Sequence, residues 1–350
     1  MDAVVEKRRR SQRYERKPTG RRHTISPIEE VWLQAFNQHG PMPSWGPFEL
    51  TRDRQPSFDY VKHLLHNMWR EDVQPGGGGY LDRPGQRIRV IGRNKHEVYA
   101  NTSFADDYLL GNGLATRVSV PINKLNYHHE CLNANIGLSI ELGCKRDPHL
   151  DFISEHELLP RAPSGSREIP CHIEHEYNIW DKKYNGWRTE LREGDTALIP
   201  DAYFCIKQER AQRSRYCAFF VEADCGTEML TRADLNDKSW LATLLKYLYL
   251  IDTGEYKRHF GLTCGALVLI VTTSQTQMKG IQRILMQITG NKGSSYILFQ
   301  TWPDFAQDFY VPKDPRYDFV KEPWQRVGND PKTGQPYTPL YLVMPDEVIR

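Results

Sequence analysis

Two short stretches of the chain hold carboxylates where strands would hold them: Pro200-Asp201-Ala202-Tyr203-Phe204 and Phe219-Phe220-Val221-Glu222-Ala223-Asp224. The polar, basic segment between them, 208–215, reads as the turn of an antiparallel hairpin. In such a hairpin opposed residues share a constant sum of sequence numbers. A turn centred between Ala211 and Gln212 sets that sum at about 423 and pairs Asp201 with Glu222. Side chains alternate, so Asp224 shares the face of Glu222, whereas Phe219, Val221 and Ala223 turn the other way into packing. Neighbouring carboxylates repel unless a divalent cation lies between them, and hard oxygen donors of this kind suit Mg²⁺ or Mn²⁺. Metal-assisted phosphodiester hydrolysis needs such a pair, because the ion polarises the phosphate and makes a bound water easier to deprotonate. Asp201 and Glu222 are therefore the candidate metal ligands, with Asp224 a further candidate catalytic acid. The plainer reading is two exposed strand-end acids balanced by Arg210 or Arg213.

The elements that must position these acids follow from periodicity. The pattern predicts a helix over 127–144, extended runs over 151–159, 196–207 and 215–224, and a long helix over 227–251. A strand over 266–274, a helix over 277–288 and a strand over 296–302 complete it. This αβββαβαβ order specifies a mixed sheet with helices on its faces. Residues 303–350 contain eight prolines and no sustained period, which predicts an irregular tail that reaches over the active face or covers a sheet edge.

Upstream, Lys7, Arg8, Arg9, Arg10, Arg13, Arg16, Lys17, Arg21 and Arg22 crowd the first two dozen residues, a basic arm (1–25) suited to phosphate contact. Ser26-Pro27 and Ser57 cap two amphipathic helices, the second carrying Lys62, His66 and Arg70 away from its apolar face. The Gly76 to Gly79 run then leads to IRVIG and HEVYAN, two short strands read as a wing bearing Arg83 and Arg87. Helix, helix and basic wing are the order of a winged helix-turn-helix, with the second helix for the major groove. The expected division is a winged-helix domain over 26–110, a linker over 111–126, a catalytic domain over 127–302 and the extension 303–350. Candidate DNA contacts are Arg8, Arg9, Arg10, Arg13, Lys62, His66, Arg70, Arg83 and Arg87.

Pro-Asp followed on the next strand by Glu-x-(Lys) is the signature of the PD-(D/E)xK nuclease-like superfamily, which this chain resembles. More specifically it resembles the replication-relaxation family of plasmids, phages and conjugative elements. The matching features are the winged helix, His128-His129 opening a helix, SEHEL at 154–158, PDAYF at 200–204, EADCGTE at 222–228 and the helix ending before DTGEYKRHFG. They span about residues 26–302. The resemblance implies an α/β fold with an N-terminal winged helix-turn-helix and a mixed-sheet restriction-endonuclease-like core. It also implies DNA work in replication, relaxation or mobilisation of a mobile element, with double-stranded DNA and replication or relaxosome proteins as partners. One departure matters: Asp224 stands where the signature has the lysine that orients the attacking water. Lys238 and Lys246, on the predicted helix that follows, are the candidates for a migrated lysine. Among Glu130, Glu141, Glu155 and Glu157, Glu155 is the favoured further acid.

A net charge of +2 over 350 residues and 39% hydrophobic composition describe a chain that folds without a membrane. It lacks eighteen consecutive apolar residues and a leader-like start, and is read as cytoplasmic. Seven scattered cysteines without a CxxC pair read as reduced thiols. Two other readings stay open: a non-catalytic DNA-binding accessory factor or regulator with a degenerate nuclease fold, and a protein-protein adaptor.

Overall fold

A computed structural model describes residues 16–54, 57–74, 77–87, 97–115, 118–181, 186–209, 213–232, 234–305 and 314–343. The chain separates into two compact units, Met1–Gly143 with Asp304–Tyr317, and Cys144–Pro303 with Asp318–Arg350. Among the described residues no helix is long and apolar enough to cross a membrane.

The first unit begins with α1 (Pro27–His39), β1 (Met42–Pro43), α2 (Trp45–Leu50) and α3 (Phe58–Arg70). There follow β2 (Leu81–Asp82), α4 (Pro84–Arg87), β3 (Val98–Asn101), α5 (Ser103–Gly111) and α6 (Tyr127–Lys145). Both serine caps act as the sequence predicts. The Ser26 amide and hydroxyl donate to Glu29 at 2.9 and 2.8 Å, and the Ser57 hydroxyl accepts from the Tyr60 amide at 3.2 Å. Trp32, Leu33 and Phe36 of α1 and Val61, Leu65 and Met68 of α3 share one core with Leu81, Tyr99, Leu109 and Leu138. The three strands pair antiparallel in the order β1-β3-β2. A β-carbon at Gly79 would lie 2.5 Å from the carbonyl oxygens of both Met68 and Trp69, so only glycine lets the chain pass the end of α3. Val98–Asn101 of the HEVYAN stretch form β3, while IRVIG lies outside the described residues. Residues 84–87, expected to lead into the wing strand, form α4 instead.

The second unit is built on a seven-stranded mixed sheet. Its strands are β4 (Leu150–Ile153), β7 (Ala202–Gln208), β8 (Arg215–Asp224), β9 (Gly265–Thr272), β10 (Gly293–Thr301), β11 (Pro323–Gly328) and β12 (Leu340–Tyr341). They lie in the order β12-β11-β10-β9-β8-β7-β4, with β8, β9 and β10 parallel and the other pairs antiparallel. Helices α7 (Glu155–Leu158), α8 (Trp240–Thr253), α9 (Glu255–Phe260) and α10 (Gln275–Ile288) accompany it. Val268, Ile270, Ile297 and Phe299 of the sheet pack with Leu244, Tyr247, Ile281 and Leu285 of α8 and α10.

Three elements differ from expectation. The helix expected over 227–251 starts only at Trp240, where the Ser239 hydroxyl caps it by accepting from the Ala242 amide at 3.3 Å. Asp234 upstream accepts from the Asn236 amide at 2.9 Å, the local turn bonding by which Asp, Asn and Ser compete with helix. Residues 151–159 are a four-residue strand followed by α7 rather than one extended run. A two-stranded ribbon, β5 (Ile169–Asp181) against β6 (Gly186–Leu198), precedes the PDAYF strand and was not anticipated.

The proline-rich tail is more regular than expected and covers a sheet edge, with β11 pairing onto β10. At that junction Gly293 faces Gly328, with φ +67° and +109°. A β-carbon on Gly293 would lie 1.9 Å from the Val327 oxygen, so the backbones meet closer than any side chain allows.

Candidate active site

Hairpin β7–β8 runs in register Ala202↔Val221 through Gln208↔Arg215, the constant sum the sequence predicts. Asp201, one residue before β7, therefore meets the end of β8. Its amide donates to the Val221 carbonyl at 3.1 Å, and its Oδ2 accepts from the Ala223 amide at 2.8 Å.

Glu222 is 7% exposed, and its Oε1 accepts from the Tyr247 hydroxyl, donated from α8, at 2.6 Å. Burial first, then the charge of Asp201, drives the Glu222 pKa well above the ordinary carboxylate value. Burial and the same carboxylate hold Tyr247 protonated, so it donates steadily to Glu222. Glu228, in the loop after β8, joins the set. Its Oε2 lies 3.2 Å from Lys238 Nζ, while Oε1 is buried without a hydrogen-bond partner among the described residues. Burial raises the Glu228 pKa, as do Asp224 and Asp201, against the opposing pull of Lys238.

Lys238 sits immediately before the cap of α8 rather than within a helix. Burial works against its charge, but Glu228, Asp201 and Glu222 outweigh burial and hold its pKa above the ordinary lysine value. Its side chain is exposed and pairs with Glu228. Lys246 donates from Nζ to the Ala197 carbonyl at 2.9 Å, and burial holds its pKa low against the upward pull of Glu222 and Glu228.

Two candidate acids, Asp224 and Glu155, are engaged by groups of the protein itself. Asp224 is 3% exposed and both its oxygens are engaged: Oδ1 accepts from the Gly226 amide at 2.7 Å and Oδ2 from the Trp240 indole at 3.1 Å. It anchors the start of α8, and with it Lys238, against the end of β8. Glu155 is buried beside Arg167, 2.8 Å from its Nε. Arg167 in turn donates to the carbonyls of Pro200 and Asp201 at 3.0 and 3.2 Å. Glu155 thus acts on Asp201 through Arg167, by holding the turn that carries it.

Sequence reasoning missed Glu228, Tyr247, Trp240 and Arg167. Glu228 was legible only as the last letter of EADCGTE. Trp240 and Tyr247, seven residues apart, fall on one helical face that reads as plain core.

The donor chemistry fits a hard divalent cation: Asp201 and Glu222 at one strand end, with the unpartnered Glu228 oxygen nearby. Among the described residues no group of three Asp, Glu, His or Cys is arranged to hold a metal. Mg²⁺ is commonly bound by one or two carboxylates with phosphate oxygens and waters completing its shell, so a pair suffices when substrate is present.

The DNA-contact candidates divide. Lys62 is exposed on α3, 2.6 Å from Asp59, and Arg70 is half-buried in its last turn. His66 is half-buried against the Trp69 ring at 5.3 Å, and burial, then Arg83 and Arg70, lowers its pKa. Arg83 is not a wing contact: it is 9% exposed, lies over Trp69 and Tyr99 at 4.5 and 5.5 Å, and pairs with Glu97 at 2.7 Å. Arg87 closes α4. Arg8, Arg9, Arg10 and Arg13 lie outside the described residues. Arg16, read as part of the arm, is spent on the protein. It donates to the carbonyls of Trp69, Arg70, Glu71 and Gly77 at 2.7 to 3.2 Å and pairs with Asp72 at 2.5 Å.

No protein-family model, curated protein or solved structure matches the chain.

Proposed function

We propose that this chain binds double-stranded DNA of a mobile element and cuts one strand as a Mg²⁺- or Mn²⁺-dependent endonuclease of the PD-(D/E)xK type. The observation that carries this reading is the convergence of Asp201, Glu222 and Lys238. Asp201 and Glu222 would hold the cation, which when bound would offset their repulsion and polarise the phosphate. Lys238 supplies the cation missing two residues after Glu222, entering from the start of α8, and would hold a water or a phosphate oxygen beside the acids. Tyr247 fixes the rotamer of Glu222 and shields it from bulk water. Glu228 balances Lys238 in the absence of substrate.

The first unit supports the DNA half of the proposal. Its order of capped helices and a small antiparallel sheet suits a winged helix, with α3 offering Lys62 and Arg70 toward the groove. Replication or relaxosome proteins are the expected partners, and the cytoplasm the expected setting.

Asp224 in place of the motif lysine favours a second reading, a DNA-binding accessory factor or regulator whose nuclease fold is degenerate. Incubation with supercoiled plasmid in Mg²⁺, Mn²⁺ or EDTA, with mobility shifts alongside, separates the two. Metal-dependent nicking lost in Asp201→Ala, Glu222→Ala and Lys238→Ala, with binding intact, is the expected result. Binding without cleavage in any metal would overturn the nuclease and leave the accessory factor. Loss of both would point to the protein-protein adaptor.

A further inference from the structure

We infer that the outward face of α10 is a DNA contact of the second unit, a cationic stripe along which the phosphate backbone runs away from the reactive acids; this rests on DNA being the substrate. The stripe follows from helical spacing. Met278, Ile281, Ile284 and Leu285 turn inward to the core, which leaves Thr276, Lys279, Arg283 and Gln287, three and four residues apart, exposed on one face.

The charge of this face has no counterweight. Lys279 and Arg283 stand four residues apart, a spacing at which like charges weaken a helix. No acid offsets them from within the segment: α10 holds no Asp or Glu, and none occurs anywhere from Tyr256 to Pro303, a stretch that carries Lys257, Arg258, Lys279, Arg283 and Lys292. Among the described residues neither Lys279 nor Arg283 forms an ion pair. Helix α3 shows the contrast, answering its Lys62 with Asp59 at 2.6 Å. Two unanswered cations flanked by Thr276 and Gln287 offer charge and hydrogen-bond donors to phosphate oxygens without reading sequence.

Its position ties the face to the acids. β8 and β9 run parallel and in register, with Glu222 beside Ile270 and Asp224 beside Thr272. The Thr273 amide donates to the Asp224 carbonyl at 3.1 Å, and Ser274 then caps α10, its hydroxyl accepting from the Gln277 amide at 3.1 Å. From the first turn, the Gln277 side chain donates to the Glu228 carbonyl, also at 3.1 Å. α10 therefore starts at the end of the sheet that carries Glu222 and Asp201. Its fourteen residues extend from there on the order of 21 Å, the axial length of about six base pairs. A duplex with one phosphate at the acids can thus run its backbone along the stripe.

The test uses the whole protein in EDTA, where cleavage does not interfere. One double variant, Lys279→Ala with Arg283→Ala, removes the charge of the stripe. The other, Lys257→Ala with Lys332→Ala, removes the same charge from exposed positions off it. Affinity for a plain duplex is measured across salt concentrations, with thermal unfolding as the control for folding. Expected for the α10 variant are an affinity loss of about tenfold at low salt and a salt slope shallower by about 1.8, roughly 0.9 for each phosphate contact removed, with the control variant close to wild type. Unchanged affinity and slope in the α10 variant, or an equal loss in the control, would overturn the stripe while leaving the DNA reading standing. No salt-dependent binding by the intact protein would overturn the DNA reading itself, and the stripe with it.

Discussion

The two units bury charge in opposite ways. In the first, Arg16 is surrounded by four carbonyls and Asp72, and His23 lies between Glu71 at 2.9 Å and Glu29 at 3.1 Å. In the second, Glu222 is buried beside the charge of Asp201, and Glu228, paired with the exposed Lys238 at 3.2 Å, keeps one buried oxygen without a hydrogen-bond partner among the described residues. Satisfied buried charge is architecture, because removing one member strands the others. Buried charge in deficit costs stability as it stands, and that cost marks a place reserved for something else.

Arg16 tests the first half of that contrast most severely. Its guanidinium supplies donors to the C-terminal carbonyls of α3, which have no partners inside the helix. Arg16→Ala is expected to cost about 3 kcal/mol in urea unfolding, by stranding those carbonyls and Asp72. A cost under about 0.5 kcal/mol would place Arg16 with the solvated arm and break the comparison.

Glu222→Gln should move stability the other way. The folded pKa of Glu222 is raised, so its contribution is present below the unfolded value of 4.5 and is lost as pH rises through the folded value. The variant should therefore match wild type near pH 4 and exceed it at pH 8, by about 1 kcal/mol or more. Mg²⁺ should narrow that gap by stabilising wild type alone. A variant less stable than wild type at pH 8 would show that the acids are satisfied after all.

His23 gives the smallest effect. Burial lowers its pKa, but the two glutamates outweigh burial and the net shift is upward from 6.5. Its ionic clamp thus contributes fully below that value and is lost as pH rises through the folded pKa. The stability difference between wild type and His23→Gln should shrink between pH 6 and pH 9. A difference that does not vary with pH would reduce His23 to a neutral hydrogen-bonded side chain.

What the sequence discloses follows the range of the forces involved. Ser26 and Ser57 announce helices because a cap acts within three residues, and the hairpin register follows from counting because strand pairing has a fixed period. Arg83 misleads because an arginine over two rings and one on a wing look alike in sequence. Asp224 misleads for a related reason: its partner Trp240 lies sixteen residues away across a loop. The ribbon did leave a local signal, the alternation of Ile169, Cys171 and Ile173 with polar residues between them. Lys238 was expected within a helix over 227–251, whereas the helix begins at Trp240 behind its cap Ser239.

One feature of connectivity bears on how this protein is made. The chain leaves the first unit after Gly143 and returns to it only at Asp304–Tyr317, where the Arg316 amide donates to the Ser139 hydroxyl at 3.1 Å and Tyr317 packs on the core. Roughly 160 residues are synthesised in between, about 8 to 30 s on a ribosome. The first unit therefore waits, incomplete, while most of the second is made. A chain cut before residue 304 therefore lacks the segment by which Arg316 and Tyr317 join the first unit.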